Sequence, residues 1–155
     1  MDAQGRMNGP AVLYYANGRK EAEGRYVHGL REGVWVDWNP AGERIREATF
    51  KDGKWNGLTV VYIHGRKREE TTFRDEELFG PYRRWDEQGH LIEAGTYDPA
   101  NKLHGTITRW NGEIEEREEW DHGKFLRTTY YVDGVPQPLF ENSPTENDEK
   151  EDAPP

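Results

Sequence analysis

Five histidines, His28, His64, His90, His104 and His122, are the side chains in this sequence best suited to chemistry. Imidazole nitrogens ligate divalent metals and exchange protons near neutral pH. Four of the five directly precede a glycine and His90 directly follows one, which assigns all of them to turns. No pair has the HxxxH spacing that sets two imidazoles on one helical face. Their turns are expected to alternate between the two ends of the strands inferred below, which scatters the rings, so no metal centre and no cofactor are expected.

Two further groups suit recognition rather than catalysis. The run 113–121 holds Glu113, Glu115, Glu116, Glu118, Glu119 and Asp121 against Arg117. Such a run is either a solvated strand face or a patch that docks on a positively charged site, as an inhibitor of a nuclease would, and Glu115, Glu116 and Glu118 are its candidate contacts. Trp35 and Tyr82 lie three residues before Trp38 and Trp85, so in a straight strand each pair faces opposite sides. Either a bulge turns Trp35 and Tyr82 inward, or they are exposed rings beside Arg83 and Arg84, the composition of an interface anchor. Trp35, Tyr82 and Arg84 therefore join the candidate contacts. The chain has no nucleophile elbow, no phosphate-binding glycine loop and no Ser-His-Asp order suited to a pocket, so a non-enzyme is expected.

What positions these residues is a repeat. Gly9, Gly33, Gly57, Gly80 and Gly105 are spaced by 24, 24, 23 and 25 residues. Five residues after each comes an aromatic: Tyr14, Trp38, Tyr62, Trp85 and Trp110. A second series, Gly18, Gly42, Gly65, Gly89 and Gly112, is followed eight residues later by Tyr26, Phe50, Phe73, Tyr97 and Trp120. A fixed period of this length marks a repeat architecture. Asn or Asp before several of the glycines signals tight hairpin turns, so each unit reads as strand, turn, strand, turn. The position two before each second-series aromatic is Gly24, Ala48, Thr71 or Gly95 in the first four units, leaving room for a neighbouring ring to lie on the backbone, and Glu118 in the fifth.

Segments 66–78 and 113–120 are rich in Glu and Arg, which favour helix. Neither carries a 3.6-residue apolar stripe and both keep the period, so both are expected as strands. A partial sixth unit includes Tyr130 and Tyr131, and Pro136 and Pro138 then end the sheet. The expected fold is all-β: an elongated, single-layer antiparallel sheet of about five and a half tandem hairpins and eleven strands, with both aromatic series forming its core.

The pattern of a glycine, then x-Trp or x-Tyr, two residues and an aromatic, as in Gly33-Val-Trp-Val-Asp-Trp38 and Gly80-Pro-Tyr-Arg-Arg-Trp85, resembles MORN repeats. The stretch from Leu13 to Tyr26, LYYANGRKEAEGRY, looks like the bacterial MORN-variant form. Thr59 and Ile107 replace the first aromatic in the third and fifth units, and Glu76 replaces a glycine. The resemblance covers residues 8–134. It implies a scaffold or binding surface, and a bacterial branch of the variant family implies the antitoxin or immunity partner of a toxin.

Composition agrees with a thin fold. Of 155 residues, 33% are hydrophobic, and Leu, Ile, Val and Phe together make about 17%. That share cannot fill a thick aliphatic core. Six Trp, eight Tyr and 17 Gly supply large rings and turns instead. The absence of cysteine excludes disulfides and thiolate metal sites. The net charge of −9 argues against nucleic acid and anionic membranes as partners and leaves a protein. Residues 1–7 read as an N-terminal extension without a secretory signal, 8–140 as the repeat domain, and 141–155 as a disordered acidic tail. A cytoplasmic location, and self-association through open sheet edges, complete the expectations.

Overall fold

The computed structural model describes residues 1–138, so the proposed tail at 141–155 lies outside the described residues. The chain forms one 12-stranded antiparallel sheet in strict sequence order. The strands are β1 (Gly9–Tyr14), β2 (Lys20–Val27), β3 (Leu30–Trp38), β4 (Arg44–Lys51), β5 (Lys54–Ile63), β6 (Arg66–Arg74), β7 (Glu77–Trp85), β8 (Leu91–Tyr97), β9 (Gly105–Asn111), β10 (Ile114–Asp121), β11 (Lys124–Val132) and β12 (Val135–Pro136). The expected hairpin array is the observed fold, with a two-residue strand added at its end. The segments of high helix propensity became β6 and β10. There the neighbouring ladders supply every second residue with a packed face, which outweighs local preference.

Tight turns join many of the strands. His28-Gly29, Asp52-Gly53, Asp75-Glu76 and His122-Gly123 at one end of the sheet, and His64-Gly65 and Asp133-Gly134 at the other, each hold two consecutive left-handed residues, as a type I′ turn requires. The glycines heading each unit have another role. Gly33, Gly57 and Gly80 have φ of 70°, 116° and 74° inside β3, β5 and β7, where the ladder slips against Gly24, Thr49 and Thr72. They are β-bulges, and the turn lies several residues earlier. Each bulge sharpens the twist and, with face alternation kept, shifts the residues after it two places along the preceding strand, so that Trp35 meets Gly24 and Tyr82 meets Thr71.

That displacement decides the core. Register places Ala11, Gly24, Trp35, Ala48, Thr59, Thr71, Tyr82 and Gly95 in one row across the sheet. Trp35 and Ile107 are fully buried, and Ala48, Thr59, Thr71 and Tyr82 nearly so. Each large ring in the row has small neighbours, Gly24 and Ala48 beside Trp35 and Thr71 and Gly95 beside Tyr82. A Cβ on Gly24 would stand 2.3 Å from the Trp35 ring, and one on Gly95 would stand 2.5 Å from Ile107 and 2.7 Å from Tyr82. Tyr26 meets Trp35 edge-on at 4.9 Å between centroids, and Phe50 closes the cluster around Ala22, Trp35 and Ala48.

The two aromatic series therefore divide, against the expectation that both are core. Tyr26, Phe50, Phe73, Tyr97 and Trp120 share the core face, with Phe50 buried and the others half-buried. Tyr14, Trp38, Tyr62, Trp85 and Trp110 stand on the opposite face. Tyr14 is 62% exposed and the other four are half-buried.

Candidate functional surfaces

On the face opposite the core, Trp38, Tyr62 and Trp85 are each covered by a cation from the preceding strand. Lys20 Nζ lies 4.9 Å from the Trp38 ring centre, Arg44 4.2 Å from Tyr62, and Lys67 5.5 Å from Trp85. These cation–π contacts are anchored by a glutamate three residues on: Lys20 to Glu23 at 2.6 Å, Arg44 to Glu47, and Lys67 to Glu70. Because the period fixes both partners, one clamp recurs three times. In the fourth unit Leu91 stands where the cation belongs and Ala94 where the glutamate belongs. The clamp stops there. A groove of about 580 Å³ opens beside it, lined by Asp86, His90, Leu91, Ile92, Trp110 and Gly112.

The core face carries a charged row beside its apolar one. Asp37, Arg46, Val61, Glu69, Arg84, Glu93, Arg109 and Glu116 are successive register partners from β3 to β10. Arg46 pairs with Asp37 at 2.7 Å, and Arg84 lies 3.7 Å from Glu69 and 3.6 Å from Glu93. Arg109 is 3.7 Å from Glu93 and 2.9 Å from Glu118. Alternating sign avoids the cost of like charges on neighbouring strands.

Trp35 and Tyr82 are buried on this face, so intramolecular packing, and not exposure, is the role of both. The Trp35 indole N–H donates to the Arg25 carbonyl at 3.1 Å, and Arg31 stacks 4.1 Å over its ring. The Tyr82 hydroxyl donates to Glu93 at 2.7 Å. Burial first, and then the Glu93 carboxylate, push the phenol well above its usual range. Arg84 lies in the charged row and remains part-exposed.

Strand alternation splits the acidic run between the faces. Glu115 turns to the clamp face, where Arg117 donates to it at 2.6 Å and stacks 4.1 Å over Tyr131. Glu116 and Glu118 turn to the core face. Glu116 accepts from the Tyr130 hydroxyl at 3.1 Å, and Glu118 accepts from the Trp120 indole at 2.9 Å. Burial works to raise Glu118, but the Arg109 guanidinium and the Trp120 N–H outweigh it and hold the carboxyl below its ordinary value. These three candidates are therefore not one acidic patch.

The histidines depart from the expected scatter. The β10–β11 hairpin and the loop 98–104 lie at the same end of the sheet, and His104 stacks on His122 at 4.5 Å. Sequence spacing hid this pair because the contact is carried by a loop spanning two strands. Residues 1–7, the N-terminal extension, are held by hydrogen bonds of a kind found at the loop 98–104. Asp2 accepts from the backbone N–H groups of Gln4 and Arg6 as Asp98 does from those of Ala100 and Lys102, and Gly29 donates to the Met7 carbonyl as Gly123 does to that of Leu103. They reproduce a repeat-unit loop.

No helix among the described residues is long and apolar enough to cross a membrane. In comparisons with known proteins, the chain matches no family model and no curated protein.

Proposed function

We propose that this protein is a non-catalytic protein-binding repeat module that occludes its partner with one face of the sheet, as an antitoxin or immunity protein does. The carrying observation is the clamp face, where Trp38, Tyr62, Trp85 and Trp110 form a half-buried aromatic row edged by Lys20, Arg44 and Lys67. Aromatic residues and arginine dominate the energetics of protein interfaces. A twisted sheet presents them in fixed positions, so little ordering entropy opposes binding. The net charge of −9 suits a basic partner. The resemblance to bacterial MORN variants supports a toxin as that partner and the cytoplasm as the compartment. The test is co-expression with the product of the adjacent gene: a co-purifying complex and rescue of growth support the reading, and neither appearing removes it.

A second reading, an assembly scaffold, is favoured by the sheet edges. Among the described residues, the outer edge of β1 has no neighbouring strand, and β12 covers only Tyr131 and Val132 of β11. Unpaired strand edges template further pairing. Light scattering over a concentration series separates the two, because a scaffold oligomerises alone.

A further inference from the structure

We propose that His104, Asp121 and His122 bind one divalent first-row transition-metal ion that staples the loop 98–104 to the β10–β11 hairpin. Their donor atoms lie within 4.8 Å of one another. Asp121 Oδ1 lies 3.6 Å from His104 Nδ1 and 3.7 Å from His122 Nε2. Donors about 2.1 Å from a tetrahedral ion stand roughly 3.4 Å apart, so small side-chain rotations complete the set.

A hydrogen bond already aims the His122 lone pair. His122 Nδ1 lies 2.5 Å from Asp98 Oδ2, which assigns its proton to Nδ1 and leaves Nε2 free. Asp98 is buried and fixed by the N–H groups of Ala100 and Lys102 at 2.8 and 3.0 Å. A carboxylate behind a histidine in this way orients the ring and raises its basicity toward a metal. His104 Nδ1 accepts the His122 backbone N–H over a long contact of 3.4 Å, which an ion at Nδ1 replaces. Two imidazoles and one carboxylate suit zinc and its neighbours in the first row.

The first unit supplies an internal comparison. There Asp2 holds His28 at 3.1 Å in the same loop-to-turn arrangement. The residue after Met7 is Asn8, where His104 follows Leu103, and the residue before His28 is Val27, where Asp121 precedes His122. The Asp–His pair is thus the part the turn requires, and His104 and Asp121 are additions it does not need. They occur beside β8 and β9, which pair only at Glu93–Arg109 and Ala94–Thr108 with an isolated bridge at Tyr97–Leu103. A metal staple there reinforces a thin junction.

The test is titration of the EDTA-stripped full chain with ZnCl2 by calorimetry, with the cobalt(II) absorption spectrum and thermal unfolding as parallel readouts. One saturable ion per chain and a rise in Tm of several degrees are expected. His104→Gln and Asp121→Asn each weaken binding at least tenfold and abolish the Tm rise, while their metal-free stability stays that of the parent. Asp98→Asn, which touches no metal, weakens binding about 10–100-fold. His28→Asn leaves the isotherm unchanged. Absence of saturable binding, or isotherms unaffected by His104→Gln and Asp121→Asn, overturns the proposal.

Discussion

The Trp35 indole lies flat against the backbone of Gly24, so close that a methyl group there would stand 2.3 Å from the ring. The contact unites the two halves of the repeat. The glycine of one strand makes the space, and the aromatic two residues after the next bulge fills it. Backbone and a fully buried indole leave no flexible end to yield. Gly24→Ala is therefore expected to destabilise the protein by about 3 kcal/mol, at the upper end for overpacking. Gly95→Ala should behave alike against Ile107 and Tyr82. Urea denaturation measures both, and a cost within 0.5 kcal/mol of zero (roughly that of a surface substitution) would contradict this packing.

Thr59 occupies the same row where the third unit has no aromatic. Its hydroxyl is buried and has no hydrogen-bond partner among the described residues. A buried unsatisfied hydroxyl costs about 1–3 kcal/mol. Thr59→Val keeps the shape and removes the polar atom, so it should stabilise the fold by roughly 1 kcal/mol. A destabilised Thr59→Val variant in the same denaturation assay would mean that the hydroxyl is satisfied in solution.

The period, the hairpins and the small-residue row were all legible in the sequence, because glycine and aromatic spacing repeats regardless of what fills the strands. The side of the sheet was not. Assigning Trp35 and Tyr82 to the core needed the location of the bulge, and a bulge glycine such as Gly33 looks like a turn glycine in sequence. The meeting of His104 and His122 was hidden for a related reason: a contact between a loop and a later hairpin leaves no local spacing to read.

The clamp can be extended where it stops. Leu91→Lys combined with Ala94→Glu places a cation over Trp110 and its anchoring carboxylate in register, beside Asp86. Exposed cation–π contacts contribute about 0.5–1 kcal/mol, so the double variant should gain that much. Arg44→Ala should lose a similar amount at Tyr62. The gain must exceed the sum of the two single changes, and additivity in a double-mutant cycle would argue against a coupled clamp.

Asp98 and His122 make stability depend on pH in opposite directions. The His122–Asp98 hydrogen bond raises His122 above the ordinary histidine value near 6.5 and, as the leading influence on Asp98, lowers it below the ordinary aspartate value near 3.9. The histidine's contribution is full below about 6.5 and is lost as pH rises through its raised folded value. That of the aspartate is full above about 3.9 and is lost as pH falls through its lowered folded value. The pair is thus at full strength between about pH 4 and 6.5. NMR titration of the imidazoles should show His122 titrating above the ordinary histidine value, and Asp98→Asn should remove the elevation. A His122 that titrates at the ordinary value in the parent would dissolve the linkage.

Neighbour-only contacts make stability a sum of unit and junction contributions. The junctions are unequal. The ladder between β5 and β6 pairs Gly57–Phe73 through Ile63–Arg66, whereas β8 and β9 share only Glu93–Arg109 and Ala94–Thr108. The aliphatic and aromatic cluster of Ala22, Trp35, Ala48 and Phe50 lies wholly in the first half of the sheet. Native-state hydrogen exchange should therefore reveal a sub-global opening in which β9 to β11 exchange before β3 to β6. Gly95→Ala should speed that opening while leaving the protection of β3 to β6 unchanged, because a methyl group there would run into the later side chains Tyr82 and Ile107. Equal protection across all strands would mean instead that the sheet unfolds as one unit.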